Sequence, residues 1–247
     1  MLRQVVVLAS LSLMLGGCAA EAGDPEEAAG GTSALGEVGE LGPDAYRVYG
    51  DLAKAAGAAP RAGTVTVLGL RGLAVDGTTH ATSYVRAFDD TLVVLRADGT
   101  VDRFAGSTHP FERNGVPGVP DVNGDSVADV GMIRPGVYDV TGRERAIAGA
   151  ASYAVTQRAS GALPGWRDTD HDGELTDAER DASERRGDRI TDVLFHNGEG
   201  SAPPAVGCQV LPASTIKAFT VSVGGTRARF RYVLIDMTGR DTALLPR

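Results

Sequence analysis

The chain has 247 residues, of which 43% are hydrophobic and 23% charged, and this composition supports one sizeable globular core. The formal net charge of -8 at pH 7 argues against a nucleic-acid-binding protein, because such proteins carry a basic face. Lysine occurs only at Lys54 and Lys217, and the other basic residues are arginines, so single arginines say little about function.

The N-terminus has the pattern of an export signal. The apolar run over 5–15 is too short to span a bilayer and fits the apolar region of a secretory signal. It ends in Leu-Gly-Gly-Cys18, which resembles the lipobox of bacterial lipoproteins, where the peptide is cut before the cysteine and the thiol is acylated. We therefore expect a signal peptide over 1–17 and a lipid on Cys18, which anchors the protein to a membrane of the bacterial cell envelope and leaves it facing the periplasm or the exterior. The alternative is an ordinary signal peptide cleaved near Ala19 or Ala20, with Cys18 incidental.

Downstream of the signal, the composition separates a tether from a domain. Residues 18–42 are rich in Ala, Gly and Glu and predict a flexible acidic tether. Residues 43–247 predict a single domain, mainly β, with a few short helices. The first predicted elements are a helix over 45–56, a strand over 64–70 and a hairpin of strands 91–96 and 101–105 that turns at Asp98–Gly99. They are followed by strands 130–133, 136–140 and 153–157, a helix over 177–186, a strand over 190–195, a helix over 213–221 and a strand over 229–236.

The second cysteine is the candidate nucleophile. If Cys18 is lipidated, Cys208 has no cysteine to pair with, and a lone thiol in an exported protein is a candidate reactive group. His196 ends an apolar run, and Gly198 permits a sharp turn after it. Gly207 leaves room for a substrate carbonyl against backbone N–H groups, and a histidine within reach raises the thiolate fraction. The alternative is a buried cysteine that acts as a small hydrophobe.

The order of these motifs resembles that of L,D-transpeptidases over about residues 86–237. The matching segments are the hairpin at 89–108, Ile-Arg-Pro-Gly-Val-Tyr at 133–138, His-Asn-Gly at 196–198 and Gly-Cys at 207–208. The resemblance implies an L,D-transpeptidase-like β domain in which Cys208 attacks a carbonyl of a peptidoglycan stem peptide. It also implies that His196 takes the thiol proton and that the Gly207–Cys208 backbone shapes the oxyanion site.

Two positions depart from the family pattern and leave alternatives open. Ala205 stands where the family has a serine, and Val210 stands where it has an arginine that is thought to bind substrate. One alternative is a hydrolytic, L,D-carboxypeptidase-like reaction through the same thioester. Another is a non-enzymatic calcium-binding lipoprotein that binds the cell wall or an envelope partner.

An EF-hand-like calcium loop is predicted at 168–179. Carboxylates stand at loop positions 1, 3 and 5, a glycine at 6 and a glutamate at 12, which is the pattern that binds Ca²⁺. The predicted ligands are Asp168, Asp170, Asp172, the backbone carbonyl of Glu174, Thr176 and Glu179. Gly161, Pro164 and Gly165 exclude a long entering helix, so we expect an isolated loop with an exit helix, inserted in the β domain. A solvated acidic loop is the alternative.

A second, weaker loop covers 121–129. It offers oxygens at positions 1, 3, 5 and 9 but lacks the glycine at position 6 and the closing glutamate. Its candidate ligands are Asp121, Asn123, Asp125 and Asp129. The remaining histidines, His80, His109 and His171, show no metal-ligand spacing.

Overall fold

The computed structural model describes residues 41, 43–81, 87–110, 118–157, 161–199 and 207–246. The predicted signal peptide, Cys18 and all of the predicted tether except Leu41 lie outside these residues. The described helices are α1 (Pro43–Ala55), α2 (Asp177–Arg186) and α3 (Ile216–Ser222), and the described strands are β1 (Thr66–Arg71), β2 (Asp90–Leu95), β3 (Val101–Gly106), β4 (Gly131–Ile133), β5 (Gly136–Gly142), β6 (Tyr153–Thr156), β7 (Leu163–Arg167), β8 (Arg189–Ile190), β9 (Leu194–Asn197), β10 (Gln209–Leu211) and β11 (Arg229–Asp236). Within this part of the chain, no helix is both long enough and apolar enough to cross a membrane.

Eight of the strands form one sheet in the order β10-β9-β6-β5-β11-β1-β2-β3. Strands β1 and β11 run parallel, as do β9 and β10, and the other neighbours are antiparallel. Ser107, directly after β3, forms a bridge with Val210 in β10 through two backbone hydrogen bonds of 2.8 and 2.9 Å. This bridge links the two outer strands, so the sheet is nearly closed on itself. The prediction of a mainly β fold with a few short helices is confirmed.

The sheet is covered on both faces in its centre. Alternate residues of β1 and β2 point to opposite sides, and every residue of these two strands is buried. On one side, Phe195, Phe219, Phe230 and Tyr232 pack in an aromatic core closed by α3. On the other side, α1 packs its own apolar residues, Tyr49 among them, against the outward side chains. Strands that are buried on both faces have continuous apolar runs in their sequence, and for this reason these strands could be predicted.

A smaller sheet, in the order β4-β7-β8, lies beside α2 and carries the acidic loops. Strand β7 was not predicted, because Pro164 and Gly165 interrupt its pattern. Gly165 is needed there, since a Cβ atom would lie 2.2 Å from Ile190 Cγ1. The prediction that no long helix precedes the loop at 168–179 is confirmed, because a strand stands in its place.

Several predicted boundaries shift. Helix α1 begins at Pro43, two residues before the predicted start at 45, and proline suits the first turn of a helix. Helix α2 has the predicted bounds, and Thr176 and Glu179 form a capping box at its start. Strand β10 was not predicted, since it has only three residues and Pro212 follows it.

Candidate functional site

The candidate nucleophile and base lie on neighbouring parallel strands. His196 in β9 is paired with Val210 in β10, and Cys208 directly precedes β10. Phe195 points into the aromatic core, so its neighbour His196 lies on the opposite face of the strand. Cys208 and Val210 pack together on that opposite face with Leu194. The strand register therefore places His196 and Cys208 on the same face at one edge of the sheet.

His196 is held by the carbonyl of the residue that follows it. Its Nδ1 atom lies 2.6 Å from the carbonyl oxygen of Asn197, and because a carbonyl only accepts, Nδ1 carries the proton. The proton on Nδ1 leaves the lone pair of a neutral ring on Nε2. Burial lowers the pKa of His196, and the Asn197 carbonyl opposes this only in part. His196 is therefore a neutral, oriented base at pH 7.

Cys208 is buried, with 2% of its surface exposed. Its Sγ atom lies 3.7 Å from the carbonyl oxygen of Asp192, to which the thiol donates. Gly207 has a φ of +130°, and a Cβ atom there would lie 2.7 Å from the carbonyl oxygen of Gly131. Both the backbone conformation and the close approach to β4 therefore require glycine directly before the cysteine.

The loop at 168–179 brings its first three aspartates together, whereas the side chains of Thr176 and Glu179 bond each other in the capping box of α2. Oxygens of the first three aspartates, Asp168, Asp170 and Asp172, lie within 4.8 Å of one another. Glu179 closes the loop: its carboxylate accepts from the Thr169 N–H at 2.7 Å and from the Thr176 N–H at 3.0 Å. The predicted backbone ligand Glu174 follows the turn, and its side chain is exposed.

None of the predicted ligands of the loop at 168–179 is a basic residue, so they do not neutralise the negative charge of its carboxylates. Burial raises the pKa of Asp168 to about 6, and the charge of Glu179 adds to the effect. A divalent cation among these oxygens would favour the ionised forms, so the residues present fit Ca²⁺.

The second loop, 121–129, repeats the hydrogen-bond scheme of the first. In both loops the backbone N–H groups at positions 4 and 6 donate to the carboxylate at position 1. The backbone N–H at position 5 donates to the side-chain oxygen at position 3, and the backbone N–H at position 7 donates to the carboxylate at position 5. The distances are 2.7 to 3.2 Å in the first loop and 2.6 to 3.1 Å in the second. Position 6 has positive φ in both, at Gly173 (85°) and at Ser126 (73°). The serine at this position therefore does not prevent the turn that glycine usually makes.

The two loops touch, so the expectation of an isolated loop was wrong. Antiparallel pairing of β4 with β7 brings the residues before β4 next to the residues after β7. The Asn123 side chain donates to the Thr169 carbonyl at 2.7 Å. His171 lies between the loops, with Nε2 2.9 Å from Asp129 Oδ1 and Nδ1 3.6 Å from Asp125 Oδ2. Sequence spacing gave His171 no role, because these contacts cross 42 and 46 residues of chain.

A cluster around Asp89 and Asp90 was also missed. His109 Nε2 lies 2.7 Å from Asp89 Oδ1, and His80 Nδ1 lies 3.7 Å from Asp89 Oδ2. His80, Asp89 and Asp90 are close enough to share a metal ion. However, both ring nitrogens of His80 face backbone carbonyls, those of Ala81 at 2.9 Å and of Asp89 at 2.7 Å. Burial disfavours the charged ring, but these carbonyls and the carboxylates of Asp89 and Asp90 outweigh it and raise the pKa of His80. Two acceptors around the ring favour an ion pair over a metal ligand.

The arrangement contains two sets of reactive groups: a buried thiol on the same strand face as an oriented histidine, and two neighbouring oxygen-rich loops. No protein-family model, no curated protein and no solved structure matches this chain. The resemblance to L,D-transpeptidases therefore rests on the motif residues and stays a prediction.

Proposed function

We propose that this protein is a lipid-anchored enzyme of the bacterial cell envelope that performs cysteine-dependent acyl transfer on peptidoglycan stem peptides. The observation that supports this best is the hydrogen bond of 2.6 Å between His196 Nδ1 and the Asn197 carbonyl, on the strand face shared with Cys208. A nucleophile, a base and a group that orients the base are the three parts that activated thiols require.

In the proposed reaction, His196 Nε2 takes the proton from the thiol of Cys208, and the thiolate attacks a stem-peptide carbonyl carbon. The tetrahedral intermediate collapses when its C–N bond breaks, and the leaving amine takes the proton back from His196. The product is a thioester on Cys208. An acceptor amine completes transpeptidation, whereas water completes an L,D-carboxypeptidase-like hydrolysis.

We further propose that both acidic loops bind Ca²⁺ and that the metal stabilises the domain. The observations that favour this are the hydrogen-bond scheme shared by the two loops and the close approach of the Asp168, Asp170 and Asp172 oxygens, which lie within 4.8 Å of one another. The alternative function, a calcium-binding lipoprotein that binds the cell wall or an envelope partner without catalysis, retains this property and lacks the reactive thiol.

The acyl-enzyme is the decisive species. Incubation of the mature protein with a carbapenem-type β-lactam, or with a disaccharide tetrapeptide stem, should add the acyl mass to the peptide that contains Cys208. Cys208→Ser should remove the thioester and any cleavage or cross-linking, because a serine hydroxyl has no comparable ionisation at neutral pH. Lys217→Ala is the matched control at an exposed position of α3. An unmodified Cys208 with both reagents would favour the non-enzymatic alternative.

A further inference from the structure

The face of β11 that points away from the aromatic core changes character along the strand. Toward the end of the strand, Val233 and Ile235 pack with the apolar residues of α1. Toward its start, Arg229 and Arg231 occupy the same face, because alternate residues of a strand point to one side and Phe230 between them faces the aromatic core. Arg229 is exposed and Arg231 is half-buried. A central strand of the sheet therefore presents two arginines where its apolar cover ends.

These two arginines line a cavity of about 360 Å³ that is formed by residues of β1, β5 and β11. A third arginine, Arg61, lines the cavity from the connection between α1 and β1. The carbonyl of Arg61 accepts from the Thr64 N–H at 3.1 Å and from the Thr64 hydroxyl at 2.8 Å, which closes the turn that carries this arginine. Pockets for small ligands have volumes of roughly 300 to 1,000 Å³, so the cavity has the size of a small-molecule site.

The cavity is positively charged in a protein whose formal net charge is -8. Asp139 is the only carboxylate residue that lines it, and its Oδ1 lies 3.9 Å from Arg231 Nη2 with 66% of the side chain exposed, so this ion pair is weak. Within the described part of the chain, neither Arg61 nor Arg229 forms an ion pair. Single arginines say little in this chain, but three around one cavity repel one another, and a bound anion relieves that repulsion.

The number of arginines favours a phosphate group over a carboxylate. One guanidinium matches one carboxylate through two parallel N–H···O bonds, so a carboxylate needs a single arginine. A phosphate monoester has about two negative charges at neutral pH and three strong acceptor oxygens. That charge balances three arginines and Asp139, and each guanidinium can bond a different oxygen. Thr141 also lines the cavity, and a threonine hydroxyl is a further donor for a phosphate oxygen.

We propose that this arginine-lined cavity binds a small organic molecule through its phosphate monoester group, with Arg61, Arg229 and Arg231 as the residues that hold the phosphate. Binding is reversible, and no covalent bond forms or breaks. Neither Cys208 nor any residue of the two acidic loops lines the cavity, so the inference does not rest on acyl transfer or on calcium.

The test uses three probes that share one sugar ring and differ at carbon 6. Glucose 6-phosphate carries a phosphate monoester there, glucuronate a carboxylate and glucose a neutral hydroxyl. The full mature protein is titrated by calorimetry without added calcium at about pH 7.5, where the monoester is mostly a dianion. Glucose 6-phosphate should bind at one site with a Kd below about 1 mM. Glucuronate should bind at least about tenfold more weakly, since it offers fewer acceptors and less charge, and glucose should show no binding.

The variants test the arginines themselves. Arg229→Gln and Arg231→Gln should each weaken binding of glucose 6-phosphate by about tenfold, because each removes charge-assisted hydrogen bonds. Arg231→Lys should also weaken binding, since lysine keeps the charge but cannot bond two oxygens in parallel. The matched control combines Arg47→Gln with Arg185→Gln, which removes two charges from exposed positions of α1 and α2 and should leave the Kd unchanged. Thermal melting checks that every variant folds.

The outcomes separate this inference from the proposed function. Cys208→Ser, which removes the proposed nucleophile, should bind glucose 6-phosphate as the wild type does. Absence of saturable binding to the wild type, an unchanged Kd in the folded arginine variants, or equal affinity for glucuronate would overturn the phosphate site.

Other sources of phosphate are tested with the same variants. Inorganic phosphate that binds more tightly than glucose 6-phosphate would overturn the assignment to an organic ligand. Binding to phosphatidylglycerol vesicles that requires Arg229 and Arg231, without binding of glucose 6-phosphate, would assign the arginines to a membrane surface and overturn the small-molecule site.

Discussion

At the scale of single residues, the proposed pairing of His196 with Cys208 makes a prediction about ionisation. Burial lowers the pKa of His196, and in the proposed site its neutral ring takes the thiol proton and so helps Cys208 to ionise. His196→Ala should raise the midpoint of the pH–rate curve for alkylation of Cys208 by about one pH unit. The measurement is the iodoacetamide rate between pH 5 and about 10. His171→Ala, which changes a histidine of the acidic loops, should leave the midpoint unchanged, and an equal midpoint in wild type and His196→Ala would show that His196 is not the base.

The sequence revealed the residues whose chemistry is set by local spacing. The ligand pattern that starts at Asp168 and the His196-x-Gly motif are both contained within a dozen residues. Contacts such as the hydrogen bond from the Tyr232 hydroxyl to the Gln209 side chain are not encoded that way, because they depend on the order of strands in the sheet. Positive φ at Ser126 was equally invisible, since serine rarely adopts this conformation and the neighbouring hydrogen bonds impose it.

At the scale of elements, the two acidic loops should act as the metal-binding unit of the domain. An ion that binds only the folded state at a hundred times its Kd stabilises it by about 2.7 kcal/mol, which corresponds to a Tm shift of roughly 5 to 10 °C. We expect such a rise when calcium is added to chelator-treated protein. Asp168→Ala combined with Glu179→Ala should remove most of it. Asp181→Ala, an exposed acidic residue of α2, is the control for lost charge.

The second loop can be separated from the first by the same measurement. Asp121→Ala combined with Asp125→Ala should remove a smaller part of the calcium response, because loop 121–129 lacks a closing glutamate. A full calcium response in the double variant of the first loop would show that 168–179 is not the main site.

The elements that escaped prediction are short or carry glycine and proline. Strand β7 contains Pro164 and Gly165, and Pro164 is tolerated because its carbonyl, rather than an N–H, pairs with the Arg134 N–H. Strand β10 is held extended by its pairing with β9 and by the bridge between Val210 and Ser107. In both cases the neighbours in the sheet, and not the local sequence, impose the extended conformation.

At the scale of the whole molecule, the sheet order follows from contacts distant in sequence. Parallel pairing of β1 with β11 joins the two ends of the domain, and the Ser107–Val210 bridge nearly closes the sheet. Periodicity predicts that strands exist and not which strands pair, so this closure could not be read from the sequence. Antiparallel pairing of β2 with both β1 and β3 brings the start of β2 close to the residues that follow β1 and β3, where the Asp89 cluster forms.

That cluster predicts how stability changes with pH. Burial opposes charge on His80 and His109, but carbonyls and the carboxylates of Asp89 and Asp90 outweigh it and raise the pKa of both histidines. Their contribution to stability is complete below about 6.5, the ordinary pKa of histidine, and is lost as the pH rises through the raised values. Burial likewise opposes the charge of Asp89, and bonding to His109 outweighs it and lowers the pKa of Asp89. Its contribution is present above the ordinary aspartate value and is lost as the pH falls through the lowered one.

Stability should therefore be greatest at mildly acidic pH and decline from about pH 6.5 upward. With saturating calcium, which removes the titration of Asp168 from the comparison, Tm should fall by roughly a few degrees between about pH 6 and 8. Asp89→Asn should flatten this decline, because the histidines lose the carboxylate that favours their charged form. Asp51→Asn, an exposed position on α1, should keep the wild-type slope. A Tm that rises between about pH 6 and 8, or an unchanged slope in Asp89→Asn, would show that the cluster does not stabilise the fold as an ion pair.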